Sequence, residues 1–182
     1  MPAREIATWA RALPPSAGHA RVIAIEGRSG AGKTHLAGAV ATELAAPLIR
    51  MDDLYPGWDG LLGGVAALRE WILVPLAAGE QVRWRRWDWA GGAYGAPEEL
   101  TVTTDLVIEG VGSGASELRP YRSAVIWIEA SEAVRKQRAL ARDGETYAPH
   151  WERWARQEDA FYALHRVREN ADRIIDNTGG TA

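Results

Sequence analysis

The chain contains no cysteine. Disulfide staples and thiolate metal sites are thereby excluded, and a reducing, cytoplasmic setting is expected. Lysine is nearly absent too: Lys33 and Lys136 are the only two, and arginine carries almost all the other positive charge. No stretch approaches about 18 consecutive apolar residues, the length a membrane span needs. The N-terminus lacks the basic-led apolar run of a signal peptide, so no membrane association is expected. The net charge of −3 leaves no broad excess of positive charge. That argues against a nucleic-acid partner held by bulk electrostatics. What is present suits a packed core: 47% of the 182 residues are hydrophobic, and nine are tryptophan against one phenylalanine. The length fits one domain over residues 1–182, as monomer or homodimer.

Against that scarcity of lysine, the setting of Lys33 is informative. Gly27-Arg28-Ser29-Gly30-Ala31-Gly32-Lys33-Thr34 reads G-x-x-x-x-G-K-[ST], the phosphate-binding loop of nucleoside triphosphate sites. An apolar run over 21–26 precedes it and a helical pattern from Lys33 to about Leu44 follows. Strand, glycine-rich turn and helix N-terminus are the context this motif requires. Glycines let successive N–H groups converge on phosphate oxygens. Lys33 would reach the β- and γ-phosphates, and the Thr34 hydroxyl would hold Mg²⁺. The loop residues 27–34 are therefore the expected ATP or GTP site.

The rest of the chain alternates strands with helices. A first helix spans 4–13 and stops at Pro14-Pro15. Strands are expected at 47–51, 81–89, 99–103, 105–109, 124–128 and 173–176. Helices are expected at 61–78, interrupted near Pro75, from Ser131 onward, and at 150–170, with Trp151, Trp154, Phe161 and Leu164 on one side. His165 is expected at the surface. This alternation calls for a three-layer α/β/α arrangement around a mostly parallel sheet, with a helical lid at about 131–148. In such sheets ligands bind beyond the carboxyl ends of the strands. The phosphate loop, Asp52-Asp53, Trp87-Asp88-Trp89 and Glu109 all fall at those ends and would converge on one crevice. Asp52 or Asp53 would align or deprotonate a substrate hydroxyl, the other capping the turn. Glu109 closes Leu106-Val107-Ile108 and would serve Mg²⁺. Arg135, Arg138 and Arg142 share a helix face, where guanidinium forks suit a transferring phosphoryl group. Gly144 just beyond allows that segment to move. Tyr55, Trp87, Asp88 and Tyr94 are candidates for the acceptor pocket.

These residues resemble the uridine kinase-like branch of P-loop small-molecule kinases. Met51-Asp52-Asp53-Leu54-Tyr55 is similar to its D-x-F-Y segment, which implies Asp52 as the catalytic base. Trp87-Asp88-Trp89 is similar to the Y-D-F that helps hold the nucleoside. Val107-Ile108-Glu109-Gly110-Val111 resembles the strand whose glutamate serves Mg²⁺. Arg138, Arg142 and Asp143 resemble the R-x-x-R-D of the lid. The family usually carries a histidine shortly after Y-D-F, and residues 91–94 here hold none.

The resemblance implies a P-loop NTPase-type α/β/α fold and an ATP- and Mg²⁺-dependent phosphotransferase acting on a hydroxyl of a small molecule, possibly a nucleoside. The expected catalytic residues are Lys33, Asp52, Arg138 and Arg142. Thr34 and Glu109 are expected at the metal, and Asp53, Tyr55, Trp87, Asp88 and Tyr94 at the acceptor. A nucleotide-dependent regulatory ATPase or a non-catalytic nucleotide-binding module would use the same loop.

Overall fold

The computed structural model describes residues 3–179, apart from the side chains of residues 142, 143 and 145–147. Five strands make its central sheet: β1 (Arg21–Glu26), β2 (Leu48–Arg50), β5 (Asp105–Glu109), β6 (Ala124–Glu129) and β7 (Arg173–Asp176). Their order is β2-β5-β1-β6-β7, and every pairing is parallel. The period-2 alternation of strand side chains divides the core in two. Ile23 and Ile25 of β1, Val107 of β5 and Ile126 of β6 face a layer built from α1 (Ala3–Arg11) and α2 (Lys33–Leu44). Val22 and Ala24, Leu106 and Ile108, and Val125 and Trp127 face the opposite layer. That layer holds α3 (Leu61–Ala67), α4 (Val74–Ala78) and α6 (Trp151–His165). The architecture is the expected α/β/α sandwich.

Two strands stand apart from this sheet. β3 (Val82–Asp88) and β4 (Ala93–Leu100) form an antiparallel hairpin. The sequence pattern placed a short strand at 99–103 and treated 81–89 as part of the parallel sheet; the hairpin replaces both. The turn is the reason. The Asp88 carboxylate accepts the Ala90 N–H at 3.0 Å, and the Asp88 carbonyl accepts the Gly92 N–H at 2.8 Å. A chain reversed that tightly can pair only antiparallel, since a parallel partner requires a long crossover.

Between α3 and α4 the chain makes a π-helical turn over Leu68–Leu73. The break expected near Pro75 thus falls just before it. Pro75 has no N–H for the carbonyl of residue 71, and the ladder widens ahead of that gap. The segment Leu61–Ala78 is long and apolar enough to cross a membrane by length and composition alone. Here Leu61, Val65, Leu68, Ile72 and Leu76 are buried against the sheet and the hairpin, while Arg69 and Glu70 interrupt its apolar character.

The buried stripe of α6 is Trp151, Trp154, Glu158, Phe161 and His165. Leu164 lies off it, 74% exposed, and the helix ends at Arg166 in a left-handed conformation. His165 is buried rather than at the surface. Its Nδ1 accepts the Ser116 N–H at 3.1 Å and lies 2.8 Å from the Ser116 hydroxyl.

Beneath the phosphate loop sits Glu26, the last residue of β1, with no exposed surface. Its Oε1 accepts the Gly27 N–H at 3.0 Å and the Tyr162 hydroxyl at 2.8 Å. Its Oε2 accepts the Gly112 and Gly114 N–H groups, each at 2.8 Å. One carboxylate thus ties together β1, the loop after β5 and α6. Burial raises its pKa, opposed by the Gly114 and Gly27 N–H groups, Lys33 and Tyr162.

Removing the Glu26 carboxylate leaves four buried donors without an acceptor. Each such loss costs about 1–3 kcal/mol. Glu26→Ala is therefore expected to lower unfolding free energy by about 4 kcal/mol or more, a large share of the roughly 5–15 kcal/mol that holds a domain together. Urea denaturation checks this, and a loss under about 1 kcal/mol would remove Glu26 from that role. His165 generates a pH dependence. Burial lowers its pKa, with Glu117 opposing and Arg122 adding to the decrease. Its contribution to stability is complete above the unfolded-state value and is lost as pH falls through the folded one. The thermal midpoint is expected to fall as the pH drops below about 6.5, the ordinary histidine value, and less steeply in His165→Gln.

Candidate active site

The chain leaves β1 at Gly27 with φ 147°. A Cβ there would run into the Ile128 carbonyl of β6, so no other residue fits this exit. Gly30, at φ 79°, is confined in the same way by the Arg135 carbonyl of α5 (Glu132–Tyr147). The loop then enters α2 behind Gly32, which supplies no side-chain cap. The first-turn N–H groups of α2 are consequently left for an external acceptor, and the helix dipole favours an anion.

Lys33 is 8% exposed and arches back over the loop. Its Nζ donates to the Gly27 carbonyl at 2.7 Å and the Arg28 carbonyl at 3.1 Å. The Thr34 hydroxyl donates to Glu109 Oε1 at 3.2 Å. Glu109 ends β5 and is nearly buried. Burial raises its pKa, Asp52 raises it further, and Lys33, Thr34 and Arg50 pull the other way. Cation, hydroxyl and carboxylate thus meet where β1 and β5 end side by side.

Ser29, Gly30, Lys33, Thr34 and Glu109 form one wall of a cavity of about 550 Å³. Asp52, Tyr55 and Arg50 line it from the end of β2 and the turn that follows. Trp58, Trp89 and Trp154 supply a third, aromatic side. Trp58 and Trp89 lie 4.9 Å apart, and His150 stacks on Trp58 at 4.2 Å. Tyr55 meets Trp154 edge to face at 4.8 Å and donates its hydroxyl to the Val111 carbonyl at 2.6 Å. The Trp89 indole N–H holds the Asp52 carbonyl at 2.9 Å, fixing the backbone beneath that acid.

Several expected site residues lie elsewhere. Gly27, Arg28, Ala31 and Gly32 shape the loop without lining the cavity. Asp53 pairs with Arg86 of the hairpin. Trp87 and Tyr94 pack edge to face at 4.9 Å, and Tyr94 donates to the Leu54 carbonyl. Asp88 closes the hairpin turn. Arg138 donates to the Asn177 carbonyl at 3.0 Å, and the Asn177 amide holds the Ala31 carbonyl. Arg135 reaches the Ser29 carbonyl at 3.3 Å. These two arginines brace the loop from behind. The Arg142 side chain lies outside the described residues. α5 breaks from helical geometry at Gly144.

Glu158 was not anticipated. It is 1% exposed, and its Oε1 accepts both the Ser29 N–H of the phosphate loop at 2.8 Å and the Trp154 indole N–H at 3.2 Å. Arg28 lies 3.6 Å from its other oxygen and pairs with Asp159 at 2.7 Å. The available signal was a single acid inside the apolar stripe of α6. Arg50, Trp58 and Trp154 were also passed over as cavity residues, although Arg50 stands two positions before Asp52.

No protein-family model and no curated protein sequence matches this chain. Its fold is shared with solved structures. One, described as a possible uridine kinase from Bacillus stearothermophilus, superposes with a TM-score of 0.69. It is 20% identical, over 96% of this chain and 97% of that one. A gluconokinase from Sinorhizobium meliloti 1021 superposes with a TM-score of 0.51 at 17% identity, over 91% and 86% of the two chains. The fold is that of the P-loop kinases.

Glu158 sets a buried carboxylate on an amide of the loop expected to bind triphosphate. Glu158→Gln keeps an acceptor oxygen and removes the charge. It is expected to tighten binding of Mg-triphosphate about threefold or more, through lost repulsion. Titration calorimetry checks the sign; weaker binding would mean that the charge organises the loop instead.

Proposed function

We propose that the protein transfers the γ-phosphoryl group of ATP to a hydroxyl of a small molecule, with Mg²⁺. The observation that carries this reading is the cavity itself. Lys33 and Thr34 stand on one side, Asp52 on another, and Glu109 between them. Phosphoryl transfer asks the protein mainly to align reactants and to offset charge, and this set of groups can do both.

The donors suit the metal. The Thr34 hydroxyl and the Glu109 carboxylate are hard oxygens, which Mg²⁺ prefers. Among the described residues no group of three or more His, Cys, Asp or Glu forms a metal cage. Mg²⁺ is commonly held by one or two protein groups together with substrate phosphates. Thr34 and Glu109 would hold Mg²⁺, which neutralises charge on the phosphates.

In the proposed reaction the loop amides and Lys33 grip the β- and γ-phosphates. Asp52 accepts the proton of the acceptor hydroxyl as that oxygen bonds to the γ-phosphorus. The bond from the γ-phosphorus to the β,γ-bridging oxygen breaks, and ADP leaves. The aromatic side of the cavity seats the acceptor and reduces the water able to compete with it. Arg138 and Arg142 belong to this reading only if α5 swings about Gly144 when ligands bind.

Following ADP release against a panel of hydroxylated metabolites tests the proposal. Acceptor-dependent ADP supports it. Slow acceptor-independent ADP would point to a switch ATPase, and tight binding without turnover to a binding module. Asp52→Asn is expected to cut kcat by about a hundredfold or more, with Kd for ATP changed by less than about threefold. Lys33→Ala is expected to lower both affinity and rate. If Asp53→Asn is the damaging change and Asp52→Asn is silent, the base is the neighbouring residue.

A further inference from the structure

Among the described residues, Arg50 is the one charged side chain lining the cavity that the proposed phosphoryl transfer does not use. It ends β2 two residues before Asp52, opposite Glu109 in the β2–β5 register, is exposed, and lines the cavity together with Tyr55 and Trp58. Among the described residues it has no hydrogen-bond or ion-pair partner, although its charge reaches Glu109 and lowers that carboxyl's pKa. The other cavity charges have assignments. Lys33 faces the triphosphate, Glu109 and Thr34 the metal, and Asp52 the reacting hydroxyl. Glu109, the neighbour of Arg50 across β2 and β5, is the carboxylate that the Arg50 charge reaches; with Glu109 given to the metal, an anionic acceptor is the component left to pair with Arg50.

We infer that the acceptor is a hydroxy acid with a compact, flat-sided body, its carboxylate read by Arg50 while its hydroxyl meets Asp52. The inference rests on the phosphotransferase reading above and narrows it to one substrate class. A guanidinium offers parallel N–H donors that match both oxygens of a carboxylate. Arg50 and Asp52 follow each other at the end of one strand, so an acid group and a hydroxyl on the same small molecule can engage both. The body between them would lie against Trp58 and Trp89, whose rings are 4.9 Å apart, with Trp154 and Tyr55 closing the far side. Flat apolar walls with a few convergent polar groups favour a planar or weakly puckered ring. A neutral alcohol of the same shape would leave the Arg50 fork without an anion, and the bidentate charge-assisted contact with it.

Matched probes test this. The full chain, with Mg²⁺ and a non-hydrolysable ATP analogue, is titrated with para-(hydroxymethyl)benzoate, its neutral benzamide and uridine. Quenching of tryptophan fluorescence reports binding beside Trp58 and Trp89. The benzoate is expected to bind about tenfold more tightly than the benzamide. In Arg50→Gln that gap is expected to shrink to less than about threefold, and Arg50→Lys to retain part of it. Equal binding of acid and amide, a gap that survives Arg50→Gln, or no binding by any probe overturns the inference. A drop in ATP affinity in Arg50→Gln equal to the loss of acid binding also overturns it, since Arg50 would then serve the phosphates. ADP release, measured in parallel with ATP, separates the two readings. Turnover of uridine but not of the benzoate overturns the acid subsite and leaves phosphoryl transfer standing. Acid binding that depends on Arg50 without turnover supports the subsite and overturns phosphoryl transfer.

Discussion

The buried carboxylate of Glu26 is the constraint from which the site's geometry follows. An ionisable group with no exposed surface is tolerated only when its lone pairs are met, and here four donors meet them. The donors belong to three separate parts of the chain: the loop after β1, the loop after β5, and α6. Satisfying one side chain therefore fixes where the phosphate loop leaves the sheet, where the 112–114 backbone crosses it, and how close Tyr162 approaches. No apolar residue could do this, because burial has no direction and hydrogen bonds do.

Charge around the phosphate loop is arranged so that Lys33 stands close to carboxylates. Lys33 lies near Glu26 and Glu109 and lowers the pKa of both carboxyls. Burial acts on the same two groups in the other direction, and Asp52 adds to it at Glu109. A site balanced in this way is receptive to a strongly anionic ligand that brings its own divalent cation. Under the proposed function the triphosphate would add negative charge beside Lys33 and the uncapped start of α2, and the metal would add positive charge beside Glu109. A bare carboxylate cluster would attract the metal alone, and a bare basic cluster the phosphates alone.

Much of this was legible because it is local. The strand, loop and helix from residue 21 to residue 44 follow from spacing, as does an acid closing the apolar run of β5. The two tiers of the core follow from alternation along β1, β5 and β6. The acceptor side was harder because residues far apart in the chain build it. Trp58, Trp89 and Trp154 come from three segments, and no periodicity links them. Trp87 and Asp88 carried the stronger local pattern, yet the tight turn at 88–92 directs Asp88 into its own backbone and Trp87 against Tyr94. Glu158 and His165 were obscured differently: both occupy helical positions whose spacing marks them as inward, but their polarity pointed outward. A buried polar residue on an amphipathic stripe makes sense only once its partner is known, and those partners, Ser29 and Ser116, are 129 and 49 residues away.

The two sides of the cavity do not act independently. A single oxygen of Glu158 accepts from Ser29 in the phosphate loop and from Trp154 in the aromatic wall. Any motion that draws the Ser29 amide toward a phosphate weakens its hold on that oxygen and leaves Trp154 the larger share. Conversely, an acceptor that shifts Trp154 changes how firmly the loop amide is engaged. The carboxylate also carries charge. At an effective dielectric of about 20, two unit charges roughly 4 Å apart interact by about 4 kcal/mol, enough to keep phosphate away if uncompensated. Arg28 supplies the compensation: its backbone is part of the loop, and its guanidinium lies against Glu158, Asp159 and the Tyr162 ring. The loop thus carries its own counter-charge to the helix that packs on it, and α6 can carry an acid beside the loop without leaving that charge uncompensated.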